Sequence, residues 1–351
     1  MLITLHPSSA NTGKVAAHGE FGRRELMVFG VGLVLGAAGC TSPRQHPNAS
    51  EPVTSAPLEA PQPSRSPSVT RSPVRVALPK IRRWRPNVGD IEPEAKATAV
   101  GVIEAIGSWP RGEAGLAAAE SRVAALDEAG SLVGQAPSLL HAASGAVIEI
   151  IDAQYGGLLA DTASVLVAFR QWWANDRVVA TGGTTVDVRL SRLGGQWRVT
   201  ALHPAHPGRA ALRVSAVARH VLSSGRIELP PASVADVRSG QVHDSVLNAL
   251  LILAKDYSIG VSVIRSGHPK YVFGTSRLSD HPRGRAFDTW RINGHAVVDP
   301  ATPKKLITSY MEAAAAAGSY NVGGPYQLAG SGNHFFSDAT HHDHIHTGFV
   351  R

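Results

Sequence analysis

The chain has 351 residues, of which 43% are hydrophobic, and its formal net charge is +7. This hydrophobic content supports packed cores and excludes a chain that is disordered throughout, while the length allows two domains with extensions. The sequence contains no zinc-finger spacing, no glycine-rich phosphate loop and no basic strand studded with aromatic residues, so we expect no nucleic-acid partner. The basic charge either is spread over loops and a solvated linker or matches another anionic partner, such as a membrane surface or an acidic wall polymer.

Residues 1–39 are predicted to be an export signal. Two arginines, Arg23 and Arg24, precede an apolar run over residues 26–39. This run of 14 residues is shorter than the ~20 residues that cross a bilayer and is typical of the apolar part of a signal peptide. The arginine pair also resembles a twin-arginine signal, which implies export of a folded protein.

A lipid anchor is predicted at Cys40, the only cysteine, which leaves no partner for a disulfide within the chain. The stretch LGAAGC, residues 35–40, resembles a bacterial lipobox, in which a cysteine is lipidated and becomes the mature N-terminus. The usual leucine three positions before the cysteine is here Ala37. Two acyl chains on Cys40 would attach the protein stably to the outer face of the cytoplasmic membrane. The alternative is a plain secretory signal with an incidental cysteine.

A disordered tether is predicted for residues 40–92. Between residues 41 and 80 there are nine prolines, many serines and threonines, and no aromatic residue. Such a segment cannot bury enough apolar surface to offset the entropy lost on ordering. We therefore expect a spacer between the membrane and a folded part that begins near Pro93.

An α+β domain is predicted for residues 93–207. Alanine-rich helical patterns come first, and strand patterns follow, with a hairpin turn at Gly194-Gly195. The helices are expected over residues 94–106 and 113–129, and the strands over residues 147–151, 164–169, 184–190 and 196–202. Helices followed by a meander of strands indicate an α+β domain.

This first domain resembles, at the level of element order, the nuclear-transport-factor-like and cystatin-like accessory domains that precede catalytic modules. Trp172 and Trp173 are either a ligand platform or one core and one surface residue. We find no convergent set of titratable groups in its sequence, so no function is predicted for it.

A second α+β domain is predicted for residues 210–351. Its expected elements are an amphipathic helix with Leu247, Leu250, Leu251 and Ala254, strands over residues 259–264, 285–292 and 343–349, a turn at Asn293-Gly294, and a helix with Thr302 as N-cap and Pro303 at the first position. Leu306, Ile307, Tyr310 and Met311 form the apolar face of that last helix, and Gly318 ends it.

Residues that could hold a metal ion are concentrated near the C-terminus. His281 and Asp288 have six residues between them, and His344 and His346 are two apart. Residues two apart on a strand point to the same face, so the two histidines can converge on one point. If the strands are neighbours, imidazoles and a carboxylate can meet at one cation and leave its fourth position to water, as in catalytic zinc sites.

Together these motifs resemble the metallopeptidase group of D-alanyl-D-alanine carboxypeptidases, lysostaphin-type endopeptidases and hedgehog domains. The matching residues are Ser279, His281, Gly284, Ala286, Asp288, Asp343, His344, Ile345 and His346, within residues 261–349. The resemblance implies a zinc peptidase that acts on cell-wall peptides, with His281, Asp288 and His346 as zinc ligands.

The resemblance leaves two candidates for the general base. In the carboxypeptidases an acidic residue, usually glutamate, lies three positions before the last ligand, where this chain has Asp343. In the lysostaphin-like enzymes the first histidine of the pair does this work, which corresponds to His344. A regular strand favours His344, because Asp343 and His346 would then face opposite sides. A strand that began only at His344 would free Asp343 to turn inward.

Substrate contacts are expected from positions near the motif. Arg265, Lys270 or Arg277 could bind a peptide carboxylate. Ser279 could donate a hydrogen bond to substrate or stabilise a turn. Residues 265–268 resemble the family's serine-glycine-tyrosine-arginine turn, with a histidine in place of tyrosine.

A non-catalytic function is the alternative to the peptidase hypothesis. The hedgehog relative implies that the same zinc site can be kept in a protein that only binds, here a zinc-stabilised lipoprotein that binds the cell wall. In that case His341 or His342, which are close in sequence, could fill the fourth position on the metal.

Overall fold

The computed structural model describes residues 77–175, 177–330 and 334–351, which belong to one compact unit. The predicted export signal, the lipidation site Cys40 and most of the predicted tether lie outside the described residues. Within the described ranges, no helix has the length and apolar character needed to cross a membrane.

The last residues assigned to the tether, residues 77–92, pack against the folded part. Trp84 packs against the hydrophobic core formed by the helices and strands that follow it, and Asp90 forms an ion pair with Lys96. A large aromatic ring and a paired carboxylate account for the burial of this stretch.

The N-terminal region (residues 77–207) is a helical layer on an antiparallel sheet. It contains α1 (Pro93–Gly107), α2 (Leu116–Ala124), β1 (Gly145–Leu158), β2 (Thr162–Ala174), β3 (Val179–Leu193) and β4 (Gln196–Pro204), with 3₁₀ turns at Gly130–Gln135 and Pro137–Leu139. The strands follow one another in the order β1-β2-β3-β4. Ile103 and Ile106 of α1 share one core cluster with Tyr155, Phe169 and Leu190 of the sheet. The predicted helices followed by a meander are confirmed.

Two local features of this region follow from backbone conformation. Gly194 and Gly195 form the predicted hairpin turn with φ of 58° and 82°, values that glycine adopts without the clash a Cβ would cause. The second helix is shorter than expected, because the chain passes through Asp127 at φ 59°, which no right-handed helix can contain.

The C-terminal region (residues 210–351) is also α+β. Its elements are α3 (Ala216–Ser223), β5 (Ile227–Glu228), α4 (Pro231–Ser239), α5 (Asp244–Leu253), β6 (Ile259–Val263), β7 (Ala286–Ile292), β8 (His295–Ala296), α6 (Lys304–Ala316), β9 (Asn321–Gly323), β10 (Phe335–Phe336) and β11 (Ile345–Gly348). The sheet has the order β10-β9-β11-β7-β6-β5, and β8 pairs with β7. Leu247, Leu250, Phe287, Tyr310 and Ile345 belong to its core.

The centre of this sheet brings the two predicted motifs together. The strands β7 and β11 are antiparallel neighbours, and His346 lies directly opposite Asp288. The strand β11 begins at Ile345, so His344 and Asp343 precede it in a turn rather than lying within it. The expected strand over residues 343–349 was therefore too long at its start.

The predicted N-cap of α6 is wrong. The helix begins at Lys304 after Pro303, and no side chain caps it. The hydroxyl of Thr302 instead donates to the carbonyl of Ala296 at 2.6 Å, which ties the start of the helix to β8.

The two regions meet along the end of β1. The amide of Leu158 donates to Oγ1 of Thr340 at 3.0 Å, and His342 Nε2 bonds the carbonyl of Gly89 at 2.9 Å. A Cβ on Gly157 would lie 2.0 Å from the ring of Phe273, so only glycine allows β1 to approach this closely. The N-terminal region thus lies directly against the part of the C-terminal region that carries the histidines.

Candidate metal centre

Three side chains converge in the C-terminal sheet with the geometry of a metal site. His281 Nε2, His346 Nδ1 and Asp288 Oδ1 are each 3.1 Å from the other two. These three atoms are close enough together to hold one cation at bonds of about 2.0–2.1 Å. Two imidazoles and one carboxylate are a donor set typical of zinc. The residues therefore fit a metal ion without rearrangement.

His281 is oriented by the backbone around it. It opens a 3₁₀ turn, His281–Arg283, and its Nδ1 lies 2.8 Å from the carbonyl of Ile264. A proton on Nδ1 that is donated to this carbonyl leaves Nε2 free to ligate. Gly284 ends the turn at φ 69°, and a Cβ there would lie 2.1 Å from the carbonyl oxygen of Gln241. The glycine of the motif is thus required by space and by conformation.

The two carboxylate oxygens of Asp288 have different neighbours. Oδ1 faces the nitrogens of His281 and His346, whereas Oδ2 accepts a hydrogen bond from Nε2 of Gln154 at 2.7 Å. His344 Nε2 lies 3.7 Å from the same Oδ2. Gln154 belongs to β1, so the N-terminal region contacts a candidate ligand directly.

Charge and burial keep Asp288 and His346 in the forms that bind metal. Burial opposes the charge of Asp288, but His281 and His344 outweigh it and hold the pKa of this carboxyl well below its usual range. Burial lowers the pKa of His346 to about 4, so its imidazole is neutral at neutral pH. A carboxylate and neutral imidazoles are the forms that metals require.

A fourth candidate ligand, His268, lies beside these three side chains. His268, His281 and Asp288 also offer ligand atoms within 4.8 Å of one another. The ring of His268 stacks on that of His281 at a centroid distance of 4.1 Å. Two tetrahedral ligands of one zinc ion lie only about 3.4 Å apart, so the set with His346, at 3.1 Å, fits an ion more closely. A His-His-Asp group is therefore present close enough to hold a metal ion.

The second candidate feature is a chain of polar contacts behind His344. Its Nδ1 lies 2.6 Å from Oδ1 of Asp343, and Oδ2 of Asp343 lies 2.6 Å from Nζ of Lys96. Lys96 also contacts Asp90, and the amide of Tyr155 donates to Oδ2 of Asp343 at 3.0 Å. Both oxygens of Asp343 are thus occupied, while Nε2 of His344 faces the metal site.

Ion pairing decides the charges along this chain. Burial favours the neutral form of Lys96, but Asp343 and Asp90 outweigh it and raise the pKa of the amine. Burial raises the pKa of Asp343, but Lys96 and His344 outweigh burial and lower it. Burial lowers the pKa of His344, yet the carboxylates of Asp288 and Asp343 outweigh it and raise that pKa above its ordinary value. Lys96 and Asp343 are therefore held as an ion pair behind His344.

A cavity of about 940 Å³ opens over the three histidines His281, His344 and His346. One wall comes from the C-terminal region, with Phe273 and Arg277, and the other from the end of β1, including Leu158 and Leu159. Arg277 is the only lysine or arginine that lines the cavity among the residues the structure describes. The cavity is large enough for a short peptide.

The other expected substrate contacts have different positions. Arg265 lies outside this cavity and pairs with the buried Asp236 at 3.6 Å. Lys270 also lies outside it, with its amine over the ring of Tyr271. Ser279 lines the cavity, but its hydroxyl is 3.4 Å from the amide of His281 and from Nδ1 of His268. These contacts favour the turn-stabilising alternative for Ser279.

The histidines considered as a fourth ligand have other partners. His341 Nδ1 lies 2.7 Å from Oδ1 of Asp338, and its ring is 5.7 Å from that of His346. His342 bonds the carbonyl of Gly89.

The tryptophan pair lies away from the candidate centre. Trp172 and Trp173 are both half-buried, so the expected division into one core and one surface residue is not seen. Trp173 stacks on His141 at 3.7 Å, and Arg170 lies over Trp172.

Three polar residues near the site were missed from the sequence, namely Lys96, Asp152 and Gln154. Lys96 lies on the buried stripe of α1 with Ala99, Val100 and Ile103, and only 2% of its surface is exposed. A lysine on an apolar stripe was a signal that it needs a buried acidic partner. The sequence did not indicate which one.

Comparison of the chain with protein-family models, with curated proteins and with solved structures finds no match.

Proposed function

We propose that the C-terminal region is a zinc-dependent peptidase that acts on cell-wall peptides, as a D-alanyl-D-alanine carboxypeptidase or an endopeptidase. The observation that carries this proposal is the triangle of His281, Asp288 and His346 atoms, 3.1 Å apart, at the base of a cavity beside the His344–Asp343 pair. The HxxxxxxD and HxH motifs of the metallopeptidase group supply the three ligands.

Zinc held by three protein ligands lowers the pKa of a water molecule in its open position and polarises a carbonyl oxygen. The ligands themselves support zinc over harder cations, since two imidazole nitrogens suit zinc and all-oxygen sites suit magnesium or calcium. No cysteine lies in the region, so a closed thiolate site is excluded.

His344 is proposed as the general base, with Asp343 holding it in place. His344 Nδ1–H donates to Asp343, which leaves the lone pair of Nε2 to accept a proton from the attacking water. Asp343 itself is a weaker candidate, because Lys96 and the amide of Tyr155 already occupy its other oxygen. A carboxylate that orients a histidine base in this way is the logic of catalytic triads.

The cavity supports a peptide substrate with a free or nearby carboxylate. Arg277 is exposed on the cavity wall, and an arginine can bind a carboxylate through two parallel hydrogen bonds. We further propose that the protein acts on the outside of the cell, held at the membrane by lipid on Cys40. The signal-like run before this cysteine and the proline-rich stretch after it support that location.

The test is to incubate the full chain, loaded with zinc, with purified peptidoglycan and to analyse the soluble products by mass spectrometry. We expect released alanine or cleaved cross-bridges, and we expect His344→Ala to lower the rate by about 10²–10⁴-fold. An exposed histidine away from the cavity, His220, provides the matched control His220→Ala. Absence of any product from the zinc-loaded wild-type protein contradicts the proposal.

A non-catalytic, zinc-stabilised protein that binds the cell wall is the second candidate. His268 favours it, because its ring lies against His281 and could close the fourth position after a small movement. A closed site has no room for water and cannot hydrolyse. Retention of wall binding without any product, together with a zinc site that loses one ligand in His268→Ala, would favour this candidate.

A further inference from the structure

We propose that Gln154 is a positioning residue of the metal centre, which holds Asp288 so that a single oxygen faces the ion. The proposal rests on the metal site of the proposed function but not on hydrolysis. It also assigns a role to the N-terminal region, for which the sequence predicts none. This region supplies the residue that orients a ligand in the metal centre of the C-terminal region.

The geometry around Gln154 allows only one orientation of its amide. A carboxylate can only accept hydrogen bonds, so the NH₂ group of Gln154 must face Asp288 Oδ2, 2.7 Å away. The amide oxygen then faces the hydroxyl of Ser262, which can donate to it. Gln154, Ser262 and Asp288 are buried, with exposures of 1%, 2% and 0%. Water therefore does not compete for these bonds.

The hydrogen bonds run through three strands. Ser262 lies on β6, Gln154 on β1 and Asp288 on β7, so two strands of the C-terminal sheet and one of the N-terminal sheet meet at one carboxylate. Backbone pairing fixes Gln154 opposite Leu166 and Asp288 opposite His346. The amide thus reaches Asp288 from a rigid element, which is the requirement for orienting a ligand.

The irregular pairing of β1 supports a specific contact between Gln154 and Asp288. The pairing of β1 with β2 shifts register twice, between Ile150 and Asp152 and again between Tyr155 and Gly157. Gln154 lies between these two irregularities. Bulges bend a strand and redirect its side chains, and they are frequent beside active sites. The strand is thereby turned toward the C-terminal sheet at the position of Gln154.

The consequence for the metal is a defined coordination. With Oδ2 engaged by Gln154, Oδ1 remains for the ion and lies 3.1 Å from the nitrogens of His281 and His346. Without the amide, Oδ2 loses its donor and the carboxylate can rotate so that both oxygens reach the ion. Removing such an outer partner lowers metal affinity by roughly 10–100-fold in other proteins.

The experiment compares Gln154→Met with a matched control in the same sheet. Methionine keeps the length and approximate volume of glutamine but has no amide. Gln171 on β2 is equally buried, at 2%, and its Nε2 donates to the carbonyls of Gly107 and Leu139, far from the metal centre. Gln171→Met therefore removes the same group at a similar cost in stability.

Both variants of the full chain are titrated with Zn²⁺ against a chromophoric chelator and with Co²⁺ by visible absorption. We expect zinc affinity to fall by roughly 10–100-fold in Gln154→Met and to be unchanged in Gln171→Met. The cobalt spectrum of Gln154→Met should also change, because the coordination number changes. Thermal unfolding of the metal-free variants checks that both are folded.

Wild-type affinity and an unaltered cobalt spectrum in Gln154→Met would overturn the inference. An equal loss of affinity in Gln171→Met would do so too, since the effect would then be one of stability. If the wild-type chain binds zinc and Gln154→Met binds it weakly while no wall peptide is cleaved, the inference stands and the peptidase proposal fails. If the wild-type chain binds no zinc, both fail.

Discussion

At the residue scale, the side chains around the candidate ion divide into three candidate ligands and the proposed base. His281, Asp288 and His346 have atoms 3.1 Å apart, whereas His344 approaches only Asp288 Oδ2, at 3.7 Å, and bonds Asp343 behind it. The first three residues are thus close enough to share one ion, whereas His344 lies beside it. Substitutions of the two kinds of residue should therefore have different effects on zinc binding.

Alanine in place of His281, Asp288 or His346 is expected to abolish stoichiometric zinc binding, because two ligands hold the ion too weakly. His344→Ala is expected to retain zinc and lose turnover. Metal analysis of the purified variants, with a wall-hydrolysis assay on the same samples, measures both effects. Zinc retained in all four variants would show that the ion binds elsewhere.

Asp152 gives a prediction of pH-dependent stability. Burial raises its pKa from 3.8 to about 7, and its Oδ2 is buried without a hydrogen-bond partner in the described part of the chain. Because the folded-state pKa is the higher one, the carboxyl group favours folding below about pH 4, and this contribution is lost as the pH rises through 7. Asparagine carries no charge at any of these pH values.

Asp152→Asn should therefore raise the free energy of unfolding at pH 8 by on the order of 1–2 kcal/mol, and by less at pH 5. Urea unfolding at the two pH values measures the difference. Asp161→Asn, at an exposed aspartate beside β2, is the control and should change little. A gain that is the same at both pH values would mean that the charge of Asp152 is not responsible.

At the scale of elements, α1 and β1 of the N-terminal region supply Lys96 and Gln154 to the site. The helix carries Lys96 on its buried face, where Asp90 and Asp343 are its partners. A charged amine in this position is stable only with its carboxylates, and they are stable only with it. The helix is thereby tied to the turn that holds His344.

Lys96→Met is expected to destabilise the fold by about 3–5 kcal/mol, because it leaves buried carboxylates without a cation. Adding Asp90→Asn should recover part of this loss, since one of the two carboxylates is then neutral. Urea unfolding of the single and double variants measures the recovery, and Lys255→Met, at an exposed lysine, is the control. If the double variant is no more stable than Lys96→Met, the two residues do not act as a pair.

At the scale of the whole molecule, the two regions share one site across their boundary. The cavity has walls from both, and Asp343 and Asp288 each receive a hydrogen bond or an ion pair from the N-terminal region. A metal ion at this boundary should therefore stabilise the folded chain as a unit. That coupling can be measured without a substrate.

Zinc at about 100 times its Kd should stabilise the folded chain by ~2.7 kcal/mol, which corresponds to a rise in Tm of roughly 5 °C. A chelator should reverse the rise. Asp288→Ala, which lacks a ligand, should show no shift. Calorimetry with and without zinc makes the measurement, and an equal shift in Asp288→Ala would point to nonspecific binding.

Much of the fold could be predicted because it depends on local patterns. The alternation of Val186, Val188 and Leu190 in β3, the glycine pair at the β3–β4 hairpin and the apolar stripe of α6 are short-range features. The end points were less predictable. Thr302 did not cap α6, because its hydroxyl found a partner in β8, and β11 began two residues late, because the turn at Asp343 is held by Lys96.

The sequence by itself determined the candidate ligands, since it placed Asp288 and His346 on two expected strands and His281 just before the first of them. That the two strands are neighbours came from the structure. Only the tertiary structure decided what surrounds them. Gln154 is 134 positions from Asp288, and Lys96 lies in a different region from Asp343. A buried amide or amine must find a partner when water is excluded, but its own sequence neighbours do not say which one. The packing of the two regions determines which partners Gln154 and Lys96 have.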